Sequence, residues 1–470
     1  MKAISSFLHP RLQLLVVVSG FLLVAALSYA ASRTQLAMVL VLPFGVAVLW
    51  AFIRWPSFGL LVAAVAGILV PFTGPSGLTV TMMMVALMFG LWLFDMVVRQ
   101  RQIHLVTSRT FWPLFIFVAV ACISFVIGQL PWLTFASHAP LGAQLGGLSI
   151  ILLSAAIFLL VANVIEDLRW LKWITWAFLA LGALSIIVRS VLPELGLSTR
   201  NLLPQMGTVF YIWVIAIAFS QAVFNRDLHP RWRMALGVLV VLTLYIMFFW
   251  KYNDKSGWLS CFVCIGAIVI FRYPRAIVAM IPFGLLAARS MWSGIVSTDE
   301  YSITTRLDAW IIMGQIIKIS PLWGLGFANY YWYTPLFPIR GYAVNFNSHN
   351  NYVDIAAETG IIGLACYVWL LWEVGRLGWQ LKEQVPAGFA QAYVYGALGG
   401  LAAMIVAGML GDWVLPFFYN VGLRGFPSSM LGWFFLGGLV SLAHMNTLSK
   451  FKNKDSNQSP APSFYPRSNF

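Results

Sequence analysis

Charge is what this 470-residue chain most lacks. Asp, Glu, Lys and Arg together make up 9% of it, while 60% is hydrophobic. A soluble domain built this way could not cover its surface with polar groups, so that class is excluded. Acids are scarcer than bases, 15 Asp+Glu against 29 Lys+Arg. Cysteine is scarce too. Cys122, Cys261, Cys264 and Cys366 all fall in apolar runs, and nothing implies structural disulfides. Cys261 and Cys264 have the spacing of a redox or metal pair. No second ligand pair accompanies them, and their neighbours Phe262, Val263 and Ile265 suit small packing side chains better. Alternating polar and apolar residues are also missing, which excludes a β-barrel. There is no internal repeat and no low-complexity block.

What is present is a succession of apolar runs of about twenty residues, long enough for a helix to cross a ~30 Å hydrocarbon core. They lie near 12–31, 35–53, 57–72, 77–98, 110–129, 144–164, 171–191, 204–224, 234–252, 257–273, 276–290, 351–372, 388–410 and 428–446. The fold expected is an all-α polytopic membrane protein with about 12–14 transmembrane helices. The first run is long, continuous and followed at once by another, so it should stay in the membrane rather than be cleaved. With the N-terminus in the cytoplasm, 19 of the 29 Lys and Arg face inward and ten outward. This asymmetry favours both termini inside. Residues 1–450 then form one integral membrane domain, 291–350 a large external (periplasmic) loop before the third-last span, and 451–470 a disordered cytoplasmic tail rich in Ser, Pro, Asn and Lys.

The ten outward cations are Arg33, Arg189, Arg200, Lys251, Lys255, Arg289, Arg306, Lys318, Arg340 and Arg424. They crowd the later spans and the large loop. A cationic cluster at headgroup level suits a lipid-linked phosphate or diphosphate. Snorkelling toward ordinary phospholipid is the alternative.

Within the loop, Thr305 and Asp308 have the spacing of a capping box, which predicts a helix from about Arg306 to Ile319, stopped by Ser320-Pro321. Arg306 then sits at a helix N-terminus, where free amides already favour anions, with Trp310 one turn on to pack against its guanidinium. A surface Arg paired with Asp308 or Glu300 is the competing reading. Gly324-Leu-Gly326 reads as a flexible turn. The aromatics after it, from Phe327 to Phe346, suit either stacking on sugars or a membrane-interface belt. His349 is the loop's one histidine, flanked by Ser348, Asn350 and Asn351. It can serve as a base near neutral pH, or cap and hydrogen-bond at the interface. No partner stands at metal-ligand spacing from it. At about 100° per residue, Glu358 falls on the opposite side of the following helix. Glu358 and Asp354 would then serve the helix dipole or orient loop Arg and Tyr groups.

Three stretches together resemble the O-antigen ligase and polymerase superfamily of bacterial envelope enzymes. They are Arg306-x-x-x-Trp310; Ser320-Pro321-Leu322-x-Gly324-x-Gly326 followed by Asn329; and His349-Asn350 with Glu358-x-Gly360-x-x-Gly363. The resemblance covers roughly residues 200–445. It implies a metal-independent, inverting glycosyltransferase without cofactor. Such an enzyme takes a glycan from undecaprenyl diphosphate at the outer face of the bacterial inner membrane and passes it to an acceptor hydroxyl of a glycan or glycolipid. Arg306 would bind the diphosphate leaving group and His349 would activate the acceptor. Asp254-Lys255-Ser256-Gly257-Trp258 occupies the place of the family's Ser-Arg-Ser-Gly-type motif. Lys255 there binds phosphate as a point charge rather than a fork. Arg200 is a further substrate-binding candidate, and Trp310, Asn329, Asn350 and Glu358 complete the set. A transporter or flippase for a lipid-linked saccharide is the alternative of another class. It would call for ionisable or broken-helix sites at mid-membrane and often a repeat. An assembly subunit would need neither His349 nor Arg306. No role with nucleic acid is expected.

Overall fold

The computed structural model describes residues 50–70, 74, 77–199, 202–251, 254–279, 282 and 304–457. Met1–Gly59 form one compact unit and Leu60–Phe470 a second. The candidate site lies in the second.

Among the described residues the regular structure is helical, without strands. In chain order the helices are α1 (Pro56–Leu69), α2 (Val80–Phe94), α3 (Phe111–Ile127), α4 (Leu141–Val164), α5 (Leu168–Ile186), α6 (Thr208–Phe224), α7 (Pro230–Tyr245), α8 (Lys255–Arg272), α9 (304–317), α10 (Asn329–Tyr333), α11 (Asn351–Leu381), α12 (Phe389–Leu410) and α13 (Phe426–Asn457). Single π-helical turns extend α2, α5 and α7. Eight of these segments are long and apolar enough to cross a bilayer, and α1, α3 and α6 are shorter apolar helices. The chain is an all-α, multi-pass membrane protein. Eleven of the fourteen predicted runs coincide with helices; 12–31, and most of 35–53 and 276–290, lie outside the described residues.

The helices start where the sequence supplies caps. Asp254 accepts from the Gly257 amide at 3.0 Å to open α8, and Asn350 accepts from Tyr352 and Val353 at 3.0 and 3.4 Å to open α11. Their lateral packing follows membrane rules. Trp112, Val241, Phe249 and Trp372 point outward, while Thr175, Ser220, Gln221, Thr243 and Ser260 are buried. The buried hydroxyls of Thr175, Thr243 and Ser260 satisfy themselves on carbonyls one turn back, at 2.6–2.7 Å. Lipid tails are as apolar as leucine, so helices associate through close packing of small residues. α12 does this with Gly396, Gly399 and Gly400. A methyl at Gly400 would come within 2.8 Å of Trp213 on α6, and one at Gly399 within 3.0 Å of the Cys264 carbonyl on α8. Cys261 and Cys264 are buried, free thiols in this contact.

One helix is broken. Gly360, inside α11, has φ 72° and ψ −178°, outside the helical region. The break frees carbonyls and amides in the span, and the segment 321–326 takes them up. Leu325 N donates to Ala357 O at 2.8 Å and Gly326 N to Glu358 O at 3.1 Å. In return Ile361 N donates to Pro321 O at 2.8 Å. Ser124 of α3 also donates its hydroxyl to Glu358 O. A side chain at Gly360 would run into the Leu322 carbonyl, and one at Gly324 (φ 75°) into the Glu358 carbonyl. The expected flexible Gly-x-Gly turn is therefore a fixed backbone junction.

Candidate active site

Arg306 lies in the first turn of α9. Helix α9 runs over 304–317, close to the predicted 306–319. Of the predicted capping-box residues, Asp308 also makes an ion pair. Asp308 accepts from Arg340 Nε at 2.7 Å, and Thr304 Oγ1 accepts from the same guanidinium at 2.6 Å. With Asp308 occupied, Arg306 is left to face inward, where its Nη1 donates to the Leu410 carbonyl at 3.0 Å. That carbonyl closes α12, the negative end of its dipole. Burial lowers the affinity of Arg306 for its proton, and nearby Asp412 opposes that effect. Arginine keeps its charge in either case.

His349 stands just ahead of the α11 cap with φ 50°, a left-handed conformation that costs a non-glycine residue about 1 kcal/mol or more. Its neighbours hold it there. Trp310 Nε1 donates to the Ser348 carbonyl at 2.8 Å, and Ser348 Oγ donates to Asp354 Oδ1 at 2.6 Å and accepts from Asn350 N at 3.0 Å. Tyr330 donates to the same Asp354 oxygen at 2.6 Å. Trp310 thus orients the backbone beside His349 through its indole N–H. Asp354 holds Tyr330 and Ser348, the orienting role anticipated for an acid on this helix.

The part that sequence reasoning missed is the turn after α12. Asp412 is 1% exposed and accepts from Asn420 Nδ2 at 2.8 Å and Phe417 N at 3.1 Å. The Asn420 amide also lies 3.5 Å from His349 Nδ1. Burial raises the Asp412 pKa above the usual carboxylate range, with hydrogen bonds and His349 opposing. Burial first, then Arg306, lowers the pKa of His349, while Asp412 pulls it back up. Burial and Arg306 together favour the neutral imidazole, the form able to take a proton. The same turn reaches the far wall, where Trp413 Nε1 donates to Ser256 Oγ at 2.9 Å. It also stacks Phe417 on Tyr330 and Tyr419 on Tyr331, with ring centroids 4.8 and 4.6 Å apart. The signal was there to find: Asp412 is the single carboxylate between Glu383 and Asp455.

A cavity of about 510 Å³ opens between these groups, lined among others by Arg306, His349, Asn420, Tyr331, Tyr419 and Asn347. The Asn347 amide nitrogen is buried and has no hydrogen-bond partner. Lys255 begins α8 within electrostatic range of Arg306. Asn350 is spent on capping α11 and on its link to Ser348. Asn329 and Glu358 stand elsewhere, at the broken helix. Asn329 is fully buried, donating to Gly128 O and Leu325 O and accepting from Ala139 N at 2.8–3.0 Å. Glu358 accepts from Ala328 N at 2.8 Å. Both hold the loop in place. Arg200 lies outside the described residues. Among the described residues, no three His, Cys, Asp or Glu side chains converge as a metal site.

A second, larger groove of about 790 Å³ runs beside α11 and α12 from Asn350 and Tyr352 down to Trp379. Its walls, including Leu371, Trp372, Leu398 and Ile405, are almost wholly apolar.

Fold and site define a class: a multi-pass membrane protein with a preorganised Arg–His–Asp site at the end of its spans. Residues 203–368 match the family model described as O-antigen ligase, which supports the O-antigen ligase superfamily for that stretch of the chain. The matched stretch runs from the approach to α6 into α11 and includes Arg306 and His349. The search of curated proteins returns no match. The family carries with it a ligase- or polymerase-like function on a lipid-linked glycan and an acceptor.

Proposed function

We propose that this protein transfers a glycan from undecaprenyl diphosphate to an acceptor hydroxyl, without a metal and with inversion at the anomeric carbon. The observation that carries the reading is one cavity lined by both Arg306 and His349. The acceptor oxygen attacks the anomeric carbon as its proton passes to His349. The bond from that carbon to the diphosphate breaks, and Arg306 and Lys255 stabilise the growing negative charge. A diphosphate is already a good leaving group, so one base and two cations suffice. Asp412, through Asn420, steadies the imidazole and favours its protonated form as the proton arrives. Asn347 offers its unused N–H to a sugar or phosphate oxygen. The apolar groove that starts at Asn350, next to His349, suits the polyprenyl chain of the donor. Ligase and polymerase share all of this chemistry and differ in the acceptor.

The reading sets the site at the periplasmic face of the bacterial inner membrane, with both termini cytoplasmic, on the strength of the Lys/Arg asymmetry. The test is transfer of a labelled glycan from undecaprenyl diphosphate by the purified protein in detergent, with and without EDTA. Turnover unaffected by EDTA, giving the inverted linkage, is the expected result. Failure to use the lipid diphosphate donor with any hydroxyl acceptor overturns the reading.

A further inference from the structure

At the opposite ends of the spans from His349 lies a separate cavity of about 650 Å³. It is enclosed by residues 105–110 between α2 and α3 and by the last turns of α11 and α13. Beyond the break at Gly360, α11 runs on to Leu381, and at about 1.5 Å per residue it carries Glu373 to Gln380 roughly 20–30 Å past the break. Arg376 borders both this cavity and the far end of the apolar groove, so the two share that wall, while Arg306 and His349 line neither.

Its chemistry is that of an anion receptor with an apolar rim. Glu373, 6% exposed, forms one wall, with Trp369 Nε1 donating to it at 3.3 Å. Arg109 Nε lies 3.7 Å from the same carboxylate, while 71% of the Arg109 side chain stays exposed. This pair roughly cancels. Arg376 and His444 line the cavity as well, which leaves it net positive. Thr107, Ser108, Thr447 and Gln380 add hydroxyl and amide groups. Leu105, Leu377, Val440 and Leu448 supply apolar surface beside them. Residues 105–110 are held in place: Val106 N donates to Asn163 Oδ1 at 2.7 Å, and the Ser108 and Thr110 hydroxyls are 2.8 Å apart. A fixed cationic recess, hydroxyl-lined and bordered by apolar side chains at headgroup level, matches one occupant. That occupant has a single negative phosphodiester, a polyhydroxyl head and acyl chains.

We propose that this cavity is a binding site for an anionic glycerophospholipid of the leaflet opposite the transfer site. The phosphodiester sits between Arg376 and His444, the head hydroxyls meet Thr107, Ser108 and Gln380, and the chains lie over Leu377 and Val440. Bound there, the lipid ties α11, α13 and residues 105–110 together.

The experiment is native mass spectrometry of the full-length protein in detergent, titrated with phosphatidylglycerol or with phosphatidylethanolamine of the same chains. A melting curve with each lipid, and with inorganic phosphate, runs alongside. The wild-type protein should retain phosphatidylglycerol in preference to phosphatidylethanolamine and melt higher with it, and inorganic phosphate should not reproduce the shift. Arg376→Glu should weaken phosphatidylglycerol retention about tenfold or more. Arg231→Glu, the same charge change at an exposed residue of α7, should leave it within about twofold. Should Arg376→Glu accumulate poorly, Arg376→Gln with His444→Gln reads the same quantity without adding a carboxylate. Equal retention of the two lipids overturns the proposal. So does equal weakening by Arg231→Glu, or protection by phosphate alone. None of these readouts depends on glycan transfer.

Discussion

Residues 320–326 and residues 345–350 belong to one connection between spans, and each carries a motif of the family. They are held by different parts of the chain. The first meets the broken helix α11 backbone to backbone, through the Leu325, Gly326 and Ile361 amides, and its glycines are needed because a side chain would strike a carbonyl. The second holds its backbone with side chains, Trp310, Ser348 and Asp354, and presents His349 to a cavity. Motifs that look alike on paper therefore do different work. One fixes where the loop lies, and the other carries the residue proposed to take the proton.

Substitutions at four positions separate the two. The largest effect is expected at the chemical site. His349→Gln should insert, fold and bind donor lipid normally, yet transfer glycan about a hundred- to ten-thousandfold more slowly, because glutamine accepts no proton. Near-normal turnover of that variant would reduce His349 to a loop-positioning residue. Next comes the junction. Gly360→Ala must place a side chain at φ 72° against the Leu322 carbonyl, and should destabilise the protein by about 2–3 kcal/mol. Melting temperature and transfer should then fall together, whereas for His349→Gln only transfer falls. A Gly360→Ala protein that melts like the wild type would dissolve the contrast.

Arg306→Ala should cost about ten- to a hundredfold in use of the lipid diphosphate, and Arg306→Lys should recover part of it, since the bidentate fork is gone. Unchanged activity of the Ala variant would make Arg306 a cap for α12 and no more. The smallest effect is a shift in pH dependence. His349 must be neutral to act, so activity is lost as pH falls through its pKa, which burial and Arg306 hold below 6.5. Asp412 favours the imidazolium, so Asp412→Asn should move the acid limb of kcat/KM to lower pH by roughly half a unit to one unit. Arg306→Gln should move it upward. A limb that stays put in both variants would mean that another group titrates.

The spans were legible in the sequence because twenty apolar residues admit few other readings. Arg306, Trp310 and His349 could be singled out because they are polar residues of specific chemistry in one extramembrane stretch. Asp412 and Asn420 could not be joined to them by any local pattern. They lie more than sixty residues further on, past α11 and α12, and only the packing of those helices returns the chain to His349. The role of Gly324 was misjudged for a related reason. A glycine that permits a turn and a glycine that permits close approach look the same until the approaching backbone is known. Asn329 and Glu358 carried motif weight that the structure directs to holding the loop against α3 and α11.

The interruption at Gly360 also bears on how the protein is made. Within a bilayer an unpaired peptide group costs several kcal/mol, so a span usually enters the membrane with its own ladder complete. α11 does not carry its own complete set: the Ala357 carbonyl and the Ile361 amide find partners in Leu325 and Pro321. Those partners are synthesised before α11. The part of α11 around the break thus completes its hydrogen bonding only when the connecting segment meets it. A ribosome-arrested chain ending just after Leu381 already contains both halves of the junction, whereas the same spans inserted without residues 304–326 would leave α11 with nothing to complete it.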